Sequence, residues 1–132
     1  VACQTALGKR AGMQIFGTDY PTPDGSCLRD YIQVGDLAQA HLLALRHLRD
    51  AGENLVLNCG YGRGYSVLEV IDTVKRVSGV DFPVTITQRR PGDPAALVAQ
   101  ADRIREVLGW RPENDDLETI VRQALEWERG LG

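Results

Sequence analysis

The chain has 132 residues, 43% of them hydrophobic and 25% charged, with a formal net charge of −3. That length suits one domain or one piece of a larger one, and it can bury a core without help from disulfides or metals. The acidic balance argues against nonspecific binding to nucleic acid or to an anionic membrane surface, and no apolar run approaches the ~18 residues of a membrane span.

Cys3, Cys27 and Cys59 are far apart, odd in number and in no C-x-x-C spacing. They read as plain buried thiols in a reducing compartment, and a cytoplasmic location is expected.

The chain opens Val1-Ala2-Cys3-Gln4-Thr5-Ala6-Leu7, helix formers without an N-cap residue or an initiator Met. It reads as a start inside a helix, and so as a fragment. Gln14 to Gly17 is a short strand-like step. Asp19 to Ser26 is dense in turn residues. Asp30 to Val34 reads as a strand. Asp36, with Gln39 three residues on, reads as the N-cap of a helix over about 37–49, carried by Leu37, Ala40, Ala44 and Leu48. Asn54 to Asn58 reads as a short buried strand, followed by a turn holding Gly60, Gly62 and Gly64. Ser66 and Glu69 form a capping box for a helix that stops at Gly79, with Val67, Val70, Ile71, Val74 and Val77 on one face. Pro83 to Thr87 is another strand, and residues 89–94 are a loop. Asp102 is expected to cap a short helix ending at Gly109. Asp115 and Glu118 read as the capping box of a last helix, with Leu117, Ile120, Val121, Ala124 and Leu125 inward. The alternation of strands and helices is that of the α/β class.

Several patterns bear on chemistry. Gly60-x-Gly62-x-Gly64 lies between strand and helix, where a dinucleotide turn belongs, but it is one residue short of G-x-G-x-x-G. No acidic residue closes the next strand, which runs into Thr87-Gln88. The turn therefore reads as a strand–helix connection, not a cofactor cradle. His41 and His47, six apart on one helix, do not share a face and make no metal pair. Arg29, and Arg89-Arg90-Pro91-Gly92-Asp93, set guanidiniums on shaped loops beside a carboxylate. Arg offers a diphosphate a planar bidentate fork, and a carboxylate suits a ribose diol. On pattern alone these could equally be ordinary surface arginines.

The runs Ile15-Phe16-Gly17-Thr18-Asp19-Tyr20-Pro21-Thr22-Pro23-Asp24-Gly25, Arg29-Asp30-Tyr31-Ile32 and Asp36-Leu37-Ala38 closely resemble the UDP-glucose 4-epimerase (UDP-galactose 4-epimerase) family. So do Asn58-x-Gly60-x-Gly62-x-Gly64-x-Ser66-Val67, Arg89-Arg90-Pro91-Gly92-Asp93 and Leu108-Gly109-Trp110. The resemblance spans essentially the whole chain, in family order.

It implies the carboxy-terminal, substrate-binding part of an extended short-chain dehydrogenase/reductase, with elements that would complete a Rossmann sheet. The NAD-binding amino-terminal half would lie outside residues 1–132. By matching position, Gln14, Ile15 and Phe16 would lie along the uracil, Arg29 and Arg90 would clamp the diphosphate, and Asp93 would accept from the ribose. Tyr31 would line the nucleotide or cofactor end, and Leu97 would set hexose-pocket size. Leu is intermediate there, which leaves open whether N-acetylated UDP-sugars fit. Gln33 replaces a family His and is expected to be structural, and Gln100 stands where Asp is common.

The implied reaction interconverts UDP-glucose and UDP-galactose by NAD-mediated oxidation and reduction at hexose C4. A tyrosine activated by a lysine in Y-x-x-x-K serves it. None of Tyr20, Tyr31, Tyr61 and Tyr65 is followed by such a Lys. The chain alone is therefore expected to hold no catalytic residue, bind no NAD and be inactive. Its partners would be UDP-glucose or UDP-galactose, with no nucleic acid, membrane or metal. The intact enzyme would be a homodimer, and open edges at 30–34 and 54–58 would favour self-association of the fragment. The competing readings are a noncatalytic nucleotide-sugar-binding remnant, or a related dehydratase, decarboxylase or uronate epimerase.

Overall fold

The computed structural model describes residues 1–131. In chain order the elements are α1 (Ala2–Ala6), β1 (Met13–Phe16), β2 (Leu28–Arg29), α2 (Val34–Ala51), β3 (Tyr65–Ser66), α3 (Val67–Ser78), β4 (Val84–Thr87), β5 (Ala96–Leu97), α4 (Asp102–Leu108) and α5 (Leu117–Gly130). The α/β class holds. The strands form two small sheets: β1 pairs in parallel with β4, and β2 lies between antiparallel β3 and parallel β5.

Two apolar cores follow from the helix periodicities. In the first, Ile71 and Val74 of α3 and Leu117, Val121 and Leu125 of α5 close over Ile15 of β1, with Ala6 and Phe82. These are the inward faces that the 3.6-residue spacing specifies. In the second, Ala40 of α2 and Ile104 of α4 pack with Ala101 around Trp110 and Tyr61, whose rings stack 6.4 Å apart. Trp110 is fully buried, and its indole N–H donates to the Asp36 carbonyl at 3.0 Å. A buried Trp needs that partner.

The start of α3 is as its sequence specifies. Ser66 Oγ accepts from the Glu69 N–H at 2.9 Å and Glu69 Oε2 accepts from the Ser66 N–H at 2.6 Å. Its end turns through Gly79 at φ 71°, whose N–H returns to Lys75 O. Ser66 also donates its hydroxyl to Asp24, which Ser26 contacts through both N–H and hydroxyl. The 19–26 turn is thereby fastened to the head of α3.

Five expectations are corrected. Residues 30–33 form no strand, because the ladder around β2 ends at Arg29 and the chain enters α2 at Val34. Asp36 is not the N-cap of α2. Gln33 is: its Oε1 accepts from the Asp36 N–H at 2.9 Å, while its Nε2 donates to Gln123 on α5 at 2.6 Å. Asp36 lies in the first turn and is buried, where it accepts from Tyr61 Oη at 2.6 Å, both Asn114 N–H groups and Glu113 N. Residues 54–58 are neither strand nor buried run. Leu55 and Leu57 turn inward against α2 and α4, but Val56 is 87% exposed and no ladder partner lies beside the segment among the described residues. The last two caps move by one residue. Ala101, not Asp102, precedes α4, with no side-chain cap, and Asp116, not Asp115, caps α5 through Thr119 N at 2.8 Å.

Candidate functional site

A cleft of about 820 Å³ runs along the free edge of β1, between the two sheets. It brings together Gln14, Ile15, Phe16, Arg29, Tyr31, Arg90 and Asp93. Ile15 buries its side chain in the first core, so what it offers the cleft is main chain, while its carbonyl receives the Thr87 hydroxyl at 3.1 Å. Leu97 is not among the cleft residues. It lies on β5 and is 62% exposed.

The local structure explains the placement. β2 is the central strand of its sheet, so Arg29 is held on both sides. Its Nη1 donates to Leu28 O at 2.7 Å and Pro94 O at 3.0 Å, which leaves Nη2 toward Asp93 at 3.8 Å. Arg90 sits three residues beyond β4. Its Nε donates to Asp93 Oδ2 at 2.9 Å and its guanidinium carbon lies 4.5 Å from the Phe16 ring centre, a cation–π distance. Asp93 thus bridges both guanidiniums. Burial pushes the Tyr31 hydroxyl above its ordinary pKa, against an opposing pull from nearby Arg29.

Arg89, the neighbour of Arg90, does something else. Its Nε pairs with Asp19 at 2.7 Å and its guanidinium covers the Tyr20 ring at 4.1 Å. It pins the 17–25 turn to the end of β4. The pair bond holds the Asp19 carboxyl below the usual carboxylate range and raises Arg89 in return.

Several residues that line the cleft escape the sequence reading, Cys27 and Arg10 among them. Cys27 lies along it. The period-2 rule applied to residues 27 and 29 would have put it on the face of Arg29. Arg10 also borders the cleft and donates to Gln4 Oε1 at 3.0 Å. It belongs to the Lys9-Arg10-Ala11-Gly12 turn, and nothing in that turn marks it.

The glycine-rich turn has a packing explanation. A Cβ on Gly60 would stand 2.3 Å from Asp30 Oδ2 and 2.9 Å from Ala99 Cβ, and one on Gly64 would stand 2.7 Å from Val98. Asp30 uses that proximity to accept from Tyr61 N at 3.4 Å and Ala99 N at 3.1 Å. The space a cofactor phosphate would need at Gly60 is filled by a carboxylate, so the turn does not fit a dinucleotide. Among the described residues no cluster of His, Cys, Asp or Glu could hold a metal.

The model of the NAD dependent epimerase/dehydratase family matches residues 1–60. A protein of Azospirillum brasilense named UDP-glucose 4-epimerase is 63% identical over 131 residues, which are 99% of this chain and 38% of that protein. The chain is a homologue of the UDP-glucose 4-epimerases. The solved UDP-Glc/GlcNAc 4-epimerase of Campylobacter jejuni superposes with a TM-score of 0.90 at 50% identity, over 98% of this chain and 39% of that one. The UDP-glucose 4-epimerase of Stenotrophomonas maltophila, solved with bound NAD and formylated UDP-arabinopyranose, superposes at 0.92 with 43% identity, over 98% and 38%. The chain therefore has the α/β fold of the matched part of these epimerases, and it spans under two fifths of their length.

Proposed function

We propose that this chain supplies the UDP-sugar grip of a UDP-glucose 4-epimerase acting on UDP-glucose and UDP-galactose with NAD. Residues 1–132 form its carboxy-terminal substrate-binding region, and the cofactor is held by a Rossmann region outside them. The observation that carries the reading is the convergence of Arg29, Arg90, Asp93 and Phe16 on one cleft, from two sheets and a loop, in a chain homologous to epimerases throughout. Two guanidiniums within reach of one carboxylate suit a diphosphate next to a ribose. The Phe16 ring and the open edge of β1 suit a planar base that needs both a face and main-chain hydrogen bonds. The crystal structure of a relative with NAD and a UDP-sugar supports both ligand classes. No hydride or proton transfer is assigned to this chain, whose glycine turn does not fit NAD.

Calorimetric titration with UDP tests the reading. Arg90→Ala should raise the dissociation constant about tenfold or more, the loss of a charge-assisted contact of ~1.5–3 kcal/mol. Arg89→Ala, whose guanidinium pairs with Asp19 and does not line the cleft, should change it by less than about threefold. Equal effects of the two, or none from Arg90→Ala, would overturn the assignment.

A further inference from the structure

We infer that the outer face of α2 is a self-association surface, on which a second copy of this chain docks antiparallel about a two-fold axis. The inference is independent of the nucleotide reading. α2 runs from Val34 to Ala51 and carries two apolar faces where its own core uses one. Ala40 and Leu43 pack into the second core. On the opposite side Val34 is 75% exposed, Leu42 57%, Leu45 54% and Leu48 45%, and Ala38 and His41 are exposed with them. At 3.6 residues per turn these side chains fall within a sector of about 120°. Val34, Ala38, His41, Leu45 and Leu48 follow one another at steps of four and three, the spacing by which one helix lies along another. α3 shows the alternative, an outer face left to water: its exposed residues are Glu69, Asp72 and Arg76.

Area, charge and symmetry commit the face to a second copy. The stripe offers on the order of 500 Å² of apolar surface, above the few hundred at which an exposed patch marks a contact. Two such faces together bury about 1,000 Å², the lower bound of a specific association, so micromolar pairing is expected. The polar members are His41 at the middle and Arg49 on the flank near the C-terminal end. Parallel pairing would set Arg49 of one copy beside Arg49 of the other. Antiparallel pairing separates the two guanidiniums by more than about 20 Å. It carries each toward the end of α2 where Glu113, Asp115 and Asp116 stand exposed, on the segment that hydrogen-bonds Asp36. Opposed helix dipoles favour the same sense. His41 lies midway between Val34 and Leu48, so an axis near it matches each apolar end to the other. Residues 54–58, expected to associate through a strand edge, form no strand and present Val56 as their one exposed apolar side chain.

The test is sedimentation equilibrium of the 132-residue chain between about 1 and 100 µM. The wild type should pass from monomer to dimer within that range. Leu45→Glu places a charge in the middle of the stripe and should raise the dimer dissociation constant at least about thirtyfold, and Leu42→Gln, on its flank, about three- to tenfold. Both sites face solvent in the monomer, so circular dichroism should be unchanged, and the neutral variant decides the matter if the charged one unfolds. Val56→Glu should leave the constant within about twofold. A wild type that stays monomeric throughout, or one that grows past the dimer, would overturn the proposal. So would dimers that survive both α2 variants, or that dissociate on Val56→Glu instead. Disulfide crosslinking reads the orientation: Val34→Cys and Leu48→Cys chains, when mixed, should link to each other and neither to its own kind, with the bond located by mass spectrometry apart from Cys3, Cys27 and Cys59. Self-linking of Leu48→Cys chains would refute antiparallel docking.

Discussion

Replacing Asp36 with Ala tests the second core at its most constrained point. Asp36 is 2% exposed and receives four hydrogen bonds: Tyr61 Oη at 2.6 Å, Asn114 N at 3.0 Å, and Asn114 Nδ2 and Glu113 N, each at 3.1 Å. Ala would strand those donors in a site closed by Trp110. Each stranded buried donor costs about 1–3 kcal/mol. Water entry and relaxation of the 111–116 segment reduce the sum, so a loss of about 3–5 kcal/mol is expected. At a denaturant slope of about 2 kcal/mol per molar, the urea midpoint falls by about 2 M. The companion Asp36→Asn keeps the volume and isolates the charge. Burial pushes the Asp36 carboxyl upward, but the hydrogen bonds from Tyr61, Glu113 and Asn114 outweigh it and hold it below the usual carboxylate value. A carboxylate lowered in the folded state stabilises fully above its unfolded pKa of about 3.9 and loses that contribution as pH falls toward the folded value. Asp24 is shifted in the same direction, so the measurement is the stability difference between wild type and Asp36→Asn. It should be constant above about pH 5 and shrink below about pH 4. A midpoint shift under about 0.5 M for Asp36→Ala, or a difference independent of pH, would refute the account of Asp36 as a desolvated hub.

Gly60→Ala should cost more than about 2 kcal/mol, because its Cβ would meet Asp30 and Ala99 inside contact distance, whereas Gly62→Ala, with open space and φ +77°, should cost only about 1 kcal/mol for its backbone. Thermal unfolding of the two variants ranks them, and the reverse order would reject the packing explanation of the glycine turn. Ser66→Ala removes the α3 cap and the Asp24 contact together and should cost about 1–2 kcal/mol. Recovery of most of that in Ser66→Asn would argue against a role for Asp24, since Asn can cap but would not reproduce the hydroxyl contact.

The elements legible in the sequence were those whose signals are local. The capping box at Ser66 and Glu69, the Gly79 stop and the apolar faces of α3 and α5 are all set by spacings of three or four residues along one helix. The failures came where tertiary partners decide. Tyr31, Ile32 and Val34 have strand propensity, yet a strand needs a ladder, and the β3 and β5 ladders stop opposite Arg29. Asp36 has the N-cap residue type, but Tyr61, Glu113 and Asn114 converge on it from residues 25 to 78 positions away, and Gln33 takes the cap. The cleft residues were reached through the resemblance, since a guanidinium in a loop does not announce its ligand. What separates Arg90 from Arg89 is an Asp19 and a Tyr20 about 70 residues earlier in the chain.

Arg29 rides on the middle strand of one sheet, while Phe16 ends β1 of the other and Arg90 sits on the loop beyond β4. A molecule held by all three would act as a strut between the two sheets. Its binding energy would appear largely as mechanical stiffening of the seam. Ligand-dependent protection from hydrogen exchange should then concentrate in the 88–95 link and at the ends of β1 and β2, leaving the interiors of α3 and α5 as slow as before.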